Sequence, residues 1–115
     1  MEYQVTMTPQ ATEQVCEIGQ YIAHTLQEPQ TSKRWLDLLY KEIFGLRAMP
    51  CRYPLTEEEP WHTKGIRKMT VENFLVYYFV DEDNRIVSVL AVVYGKRDQL
   101  AVLKDLMQNA ASSAE

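Results

Sequence analysis

Seven consecutive residues, Phe74 to Val80, are all apolar or aromatic. A strand alternates its side chains between two faces, so Phe74, Val76, Tyr78 and Val80 fall on one side and Leu75, Tyr77 and Phe79 on the other. Both sides are apolar. Such a strand needs hydrogen-bonded neighbours left and right and a covering layer above and below. The rest of the chain has to supply these parts.

The neighbours lie on either side in sequence. Ile66 to Val71 and Ile86 to Tyr94 read as strands, and the polar run Asp81, Glu82, Asp83 and Asn84 makes the turn of a hairpin between the last two. One covering layer comes from upstream. Thr8 followed by Pro9 is a helix entry, because threonine caps free backbone N–H groups and proline at the first helical position forfeits no hydrogen bond. Ala11, Val15, Ile18, Ile22 and Leu26 then recur at spacings of three and four, the apolar stripe of a helix. Pro29 interrupts it. A second helix carries Trp35, Leu39, Ile43 and Leu46 on one stripe, thickened by Leu36 and Leu38, and stops before Pro50. The short break between them predicts an antiparallel α-hairpin.

Tyr3, Val5 and Met7 alternate with Gln4 and Thr6, which predicts a short strand at a sheet edge, its neighbour undecided by pattern. Met49 to His62, with three prolines and the run Glu57, Glu58 and Glu59, reads as a loop in which Trp61 serves as an anchor. The second face of the sheet is assigned to the tail. There Asp98 caps a short helix with Leu100, Leu103, Leu106 and Met107 on one side, and Ala110 to Glu115 frays. The expected architecture is α+β, a single domain over residues 1–115 with an N-terminal strand and α-hairpin packed on an antiparallel sheet and a short C-terminal helix.

Charge bears on partners. The chain carries a formal net charge of −4, which opposes long-range attraction to nucleic acid. Residues 1–59 hold nine acidic and five basic side chains, whereas residues 60–115 hold seven of each. Five of the seven basic residues of the second half come in two groups, Lys64, Arg67 and Lys68, then Lys96 and Arg97, so a local cationic patch is compatible with an acidic whole. Cys16 and Cys51 have no second ligand pair at metal-site spacing, and His24 and His62 stand far apart, so neither a metal nor a cofactor is expected. No apolar run is long enough to span a bilayer, and no secretory pattern opens the chain, which makes a cytoplasmic location the expectation and a membrane partner unexpected.

Three local signatures occur on this order of elements. Tyr3-x-Val5-x-x-Thr8-Pro9-x-Ala11 runs into a helix containing Ile18, Tyr21 and Ile22. Leu46-x-x-Met49-Pro50 is followed by Gly65-Ile66-Arg67-Lys68 and by Asn73-Phe74-Leu75-Val76-Tyr77-Tyr78. Val92-x-Tyr94-Gly95-Lys96-Arg97-Asp98 closes the last strand. Together they resemble the RelE/ParE superfamily over almost the whole chain. The resemblance implies a RelE-like fold and a toxin of a type II toxin–antitoxin system, held inactive by a cognate antitoxin laid along the groove and α-hairpin.

Toxins resembling RelE cut messenger RNA in the ribosomal A site, and those resembling ParE poison DNA gyrase. Three functions therefore stand open: a metal-free, ribosome-dependent mRNA endonuclease, a gyrase inhibitor, and an inactive antitoxin-binding module. For the first, the resemblance implies catalytic roles for Arg97 after the last strand and for Arg67 or Lys68 on the first strand of the meander, with Tyr94 stacking or relaying a proton. The basic groups would hold the scissile phosphate, the arginines by paired hydrogen bonds. The same residues read structurally as solvated strand cations and sheet-packing aromatics. Two positions depart from the RelE-like pattern, Leu75 where an arginine is common and Leu103 where an aromatic or histidine is common.

Overall fold

The computed structural model describes residues 2–95. The tail helix expected from Asp98 onward, and Lys96 and Arg97 with it, lie outside the described residues.

Strand β1 (Gln4–Met7) leads through Thr8 into helix α1 (Pro9–Gln20), which continues as a π-helical turn over Tyr21–Thr25. The Thr8 hydroxyl accepts the Ala11 N–H at 3.1 Å, the expected cap, and donates to the Leu90 carbonyl at 3.3 Å. Helix α2 (Pro29–Phe44) begins with Pro29 at its first turn and returns antiparallel to α1. The Ser32 hydroxyl donates to the Gly19 carbonyl at 2.7 Å and pins the two helices together. After two 3-10 turns, Gly45–Arg47 and Pro50–Arg52, the chain loops to β2 (Ile66–Val71), β3 (Phe74–Asp81) and β4 (Ile86–Tyr94).

The sheet order is β1-β4-β3-β2. The meander is antiparallel as expected, with β3 central between its two neighbours. β1 joins at the edge, parallel to β4, so the sheet is mixed and not antiparallel throughout. The α-hairpin between β1 and β2 carries the chain back over the sheet and leaves β1 running in the same sense as β4. On the far edge Thr56 N–H donates to the Ile66 carbonyl and Lys68 N–H to the Pro54 carbonyl, so the loop flanks β2.

Both faces of β3 are covered. On the first, Val76 and Tyr78 pack with Met69, Val71, Val87, Val89 and Val92 beneath the stripe formed by Trp35, Leu39 and Ile43 of α2 and Leu46 of the 3-10 turn that follows it, and by Ala11 and Val15 of α1. Removing each large side chain of that stripe from water stabilises the fold by roughly 1.5–3 kcal/mol. On the second face Ile66, Leu75, Tyr77, Ala91 and Val93 form a smaller cluster around Trp61. Trp61 is thus an anchor, holding the acidic loop against the sheet.

One stripe deviates from its expected phase. Leu26 is 52% exposed although it continues the Ala11, Val15, Ile18, Ile22 series. The π-helical turn is the reason, because its wider i→i+5 hydrogen bonding places more residues in a turn and rotates Leu26 out of register. Gly65 precedes β2 with φ +82°, a backbone region that disfavours a β-carbon, and a β-carbon there would meet the Phe79 ring at 3.4 Å.

Candidate functional site

The candidates expected from sequence fall at different places on the sheet. Arg67 pairs with Tyr78, whose side chain lies in the core beneath the helices, so alternation turns Arg67 to the helix side of β2. There its guanidinium donates to the Tyr53 carbonyl at 2.6 Å and the Cys51 carbonyl at 3.3 Å. Tyr78 donates to the Pro50 carbonyl at 2.7 Å beside it. Burial pushes the Tyr78 hydroxyl up to about 12, against the opposing pull of Arg67. Arg67 and Tyr78 together tie the 50–53 segment to the sheet.

Lys68 pairs with Tyr77 and so points to the opposite face, beside the Trp61 cluster. It is the one basic side chain that the strands place on that face among the described residues. The central residues of that face are apolar and buried. Leu75 is 7% exposed and Tyr77 1%. The Tyr77 hydroxyl and the Trp61 Nε1–H are buried without hydrogen-bond partners among the described residues. Burial, reinforced by the Glu58 carboxylate, raises Tyr77 to about 12, so its hydroxyl stays protonated at neutral pH.

Tyr94 stands on the helix side at the other end of the sheet. It pairs with Phe74, and the two rings lie 5.5 Å apart at 58°. The Arg67 row contains Tyr78 and Val89, whereas the Tyr94 row contains Phe74 and Val71. Four residues along a strand separate the rows by roughly 13 Å. Arg67, Lys68 and Tyr94 therefore occupy two faces and two ends of the sheet and do not converge on one phosphate-sized space.

Tyr94 instead borders a groove of about 800 Å³. Its walls are Ile18, Tyr21, Ile22 and Leu26 from α1 and the π-helical turn, Trp35 from α2, and Phe74 and Tyr94 from the sheet. Glu17 and Gln14 stand at one rim. At the other, Arg34 and Glu72 form an ion pair at 2.9 Å. The groove is open, apolar within and polar at its edge, as binding sites commonly are. It was not legible in sequence. Trp35 reads as core, and the exposure of Leu26 follows from the π-helical turn, for which no residue pattern stands out. Among the described residues, no cluster of three His, Cys, Asp or Glu side chains is placed to hold a metal. No helix among them is long and apolar enough to cross a membrane.

Comparison with known proteins supplies the family. No curated protein matches the chain. The family model described as the ParE toxin of type II toxin–antitoxin system, parDE, matches residues 5–99. Among solved structures, the chromosomal ParDE toxin–antitoxin system of Pseudomonas aeruginosa superposes with a TM-score of 0.66 at 16% identity, covering 81% of this chain and 96% of that one. A RelBE toxin–antitoxin complex from Mycobacterium tuberculosis gives 0.60 at 18% identity, covering 82% and 92%. A mutant of the E. coli toxin RelE in the free state gives 0.59 at 13% identity, covering 89% and 93%. At such identities these likenesses speak to the fold, and the match to the family model spans most of the sequence. The chain belongs to the ParE toxin family of type II toxin–antitoxin systems.

Proposed function

We propose that this toxin acts by binding a protein target, as a ParE-like inhibitor of DNA gyrase, and does not cut RNA. The observation that carries the reading is the second face of the sheet. Trp61, Leu75, Tyr77, Ala91 and Val93 close it with apolar contacts, and Lys68 alone among strand residues brings it a positive charge.

Metal-free RNA cleavage needs a proton acceptor at the ribose hydroxyl, a donor for the leaving oxygen and positive charge at the phosphate, all around one point. Arg67 is held by two backbone carbonyls on the helix side, and Tyr94 packs against Phe74 at the far end. Leu75 stands where RelE-like chains commonly carry an arginine. The nuclease reading therefore has to draw on Arg97 with Lys68, and the net charge of −4 gives RNA little long-range attraction. The match to the parDE family model supports the same choice. A cognate antitoxin is the partner this reading requires, and the solved neighbours that are toxin–antitoxin complexes support it.

The test is induced expression in a bacterium, with 5′ ends of messenger RNA mapped and chromosomal DNA examined for breaks. Growth arrest with intact messages and broken DNA, unchanged in Lys68→Ala, is expected. Cleavage inside translated codons that disappears in Lys68→Ala or Arg97→Ala would overturn the proposal. So would the absence of both lesions, which points to an inactive antitoxin-binding module.

A further inference from the structure

Among the described residues, three arginines lie over aromatic rings, all at one end of the molecule. The guanidinium carbon of Arg47 is 4.1 Å from the centre of the Phe44 ring, that of Arg52 5.1 Å from Tyr53 and that of Arg85 5.6 Å from Tyr3. Further contacts join the three pairs. Tyr3 N–H donates to the Arg47 carbonyl and Gln4 N–H to the Arg85 carbonyl, both at 2.8 Å. A β-carbon on Gly45 would meet Arg52 Nη2 at 3.8 Å, and the Cys51 thiol donates to Glu82 Oε1 at 3.4 Å. This is the end at which β3 finishes and β4 begins, opposite the groove beside Phe74 and Tyr94.

The end is braced from within and apolar outside. Phe44 is 58% exposed and Met49 75%. Met49 (φ 52°) and Arg85 (φ 57°) are held in left-handed backbone, which residues with a β-carbon rarely adopt and which clusters at functional sites. Tyr78 and Arg67, bonded to the carbonyls of Pro50, Cys51 and Tyr53, fix the turn that carries Met49 and Arg52. Three carboxylates here are engaged locally. Glu2 pairs with Arg47 at 3.1 Å, Asp81 accepts from the Asn84 amide at 2.9 Å, and Glu82 takes the Cys51 thiol. Arg52 and Arg85 are exposed and have no ion pair among the described residues.

We propose that this end is the face with which the toxin grips its protein target, and that the target presents carboxylates around an apolar side chain. The carboxylates meet Arg52 and Arg85, and the apolar side chain packs against Phe44 and Met49. The proposal rests on the gyrase reading above and says where the toxin holds that enzyme. Aromatic rings, methionine and arginine are the side chains enriched at such interfaces. Arginines already laid over rings lose little freedom on binding, and their unpaired charge selects an acidic surface. Nucleic acid fits the end less well. Glu2, Glu82 and Asp83 stand near the arginines and would face its phosphates, and Met49 offers no ring on which a base can stack.

The experiment titrates full-length toxin into purified gyrase holoenzyme by calorimetry, with and without duplex DNA. Binding without DNA is expected. Arg52→Glu and Arg85→Glu should each weaken it by about tenfold, and Met49→Ser by about fivefold. Lys33→Glu, the same charge change towards the other end of α2, should leave it unchanged. Urea midpoints equal to the parent's establish that the variants fold. Hydrogen exchange, which needs no variant, should slow across residues 44–52 and 82–86 in the toxin–gyrase complex. Binding that survives the substitutions at Arg52, Arg85 and Met49 overturns the face and leaves the gyrase reading standing, and so does unaltered exchange in those segments. An equal loss in Lys33→Glu overturns it as well. Binding that appears only with DNA overturns the protein partner in favour of nucleic acid. No binding in either condition overturns the gyrase reading and the face together.

Discussion

Placing an arginine at residue 75 decides whether the second face of the sheet is a core or an open cationic surface. Leu75 is 7% exposed and packs within the Trp61, Tyr77, Ala91 and Val93 cluster. Leu75→Arg forfeits the burial of a leucine, roughly 1.5–3 kcal/mol. It also brings a guanidinium into an apolar setting, at an effective cost of several kcal/mol when no counter-ion is present. The long arginine stem lets the charge reach towards solvent and recovers part of that cost. The net loss is about 4 kcal/mol, a large share of the roughly 5–15 kcal/mol that holds a domain folded. Leu75→Met keeps the volume and should cost less than about 1.5 kcal/mol. Equilibrium urea unfolding measures both, and the midpoint should fall in Leu75→Arg with the slope unchanged. A Leu75→Arg protein within about 1 kcal/mol of the parent would refute the covered face, and with it the main ground for rejecting RNA cleavage.

Other outcomes follow from single contacts. Tyr78→Phe removes the hydrogen bond to Pro50 and leaves a buried carbonyl without its donor, so unfolding free energy should fall by about 1–3 kcal/mol in the same urea assay. Tyr77 and Tyr78 are held up to about 12 in the folded chain, chiefly by burial, against an ordinary value of 10. Folding therefore favours their protonated forms. Their contribution is full below pH 10 and is lost as the pH rises towards 12, which ultraviolet titration of tyrosinate alongside circular dichroism would follow. Arg34→Ala breaks the ion pair with Glu72, whose side chains are 60% and 39% exposed, and should change stability by less than about 1 kcal/mol.

Much of the fold was legible because it rests on periodicity. The two-faced run from Phe74 to Val80 does occupy the centre of the meander, and the stripe Trp35, Leu39, Ile43 and Leu46 is buried throughout. What escaped depends on relations that periodicity does not encode. Alternation in Tyr3 to Met7 shows a strand but carries no direction, so its parallel place beside β4 emerges only with the return path of the α-hairpin. The π-helical turn shifts Leu26 outward, and that turn forms part of the groove wall. Arg67 and Lys68 are adjacent in sequence, so a strand must place them on opposite faces. Which face holds which follows from the pairing of Arg67 with Tyr78 and of Lys68 with Tyr77.

Purified toxin incubated with gyrase and supercoiled plasmid decides between gyrase inhibition and RNA cleavage. Supercoiling should be lost and cleaved plasmid should accumulate, both reversed by adding the antitoxin, while translating ribosomes keep their messenger RNA intact beside the same toxin. Unaltered gyrase activity together with cleavage of messenger RNA on those ribosomes would contradict gyrase inhibition.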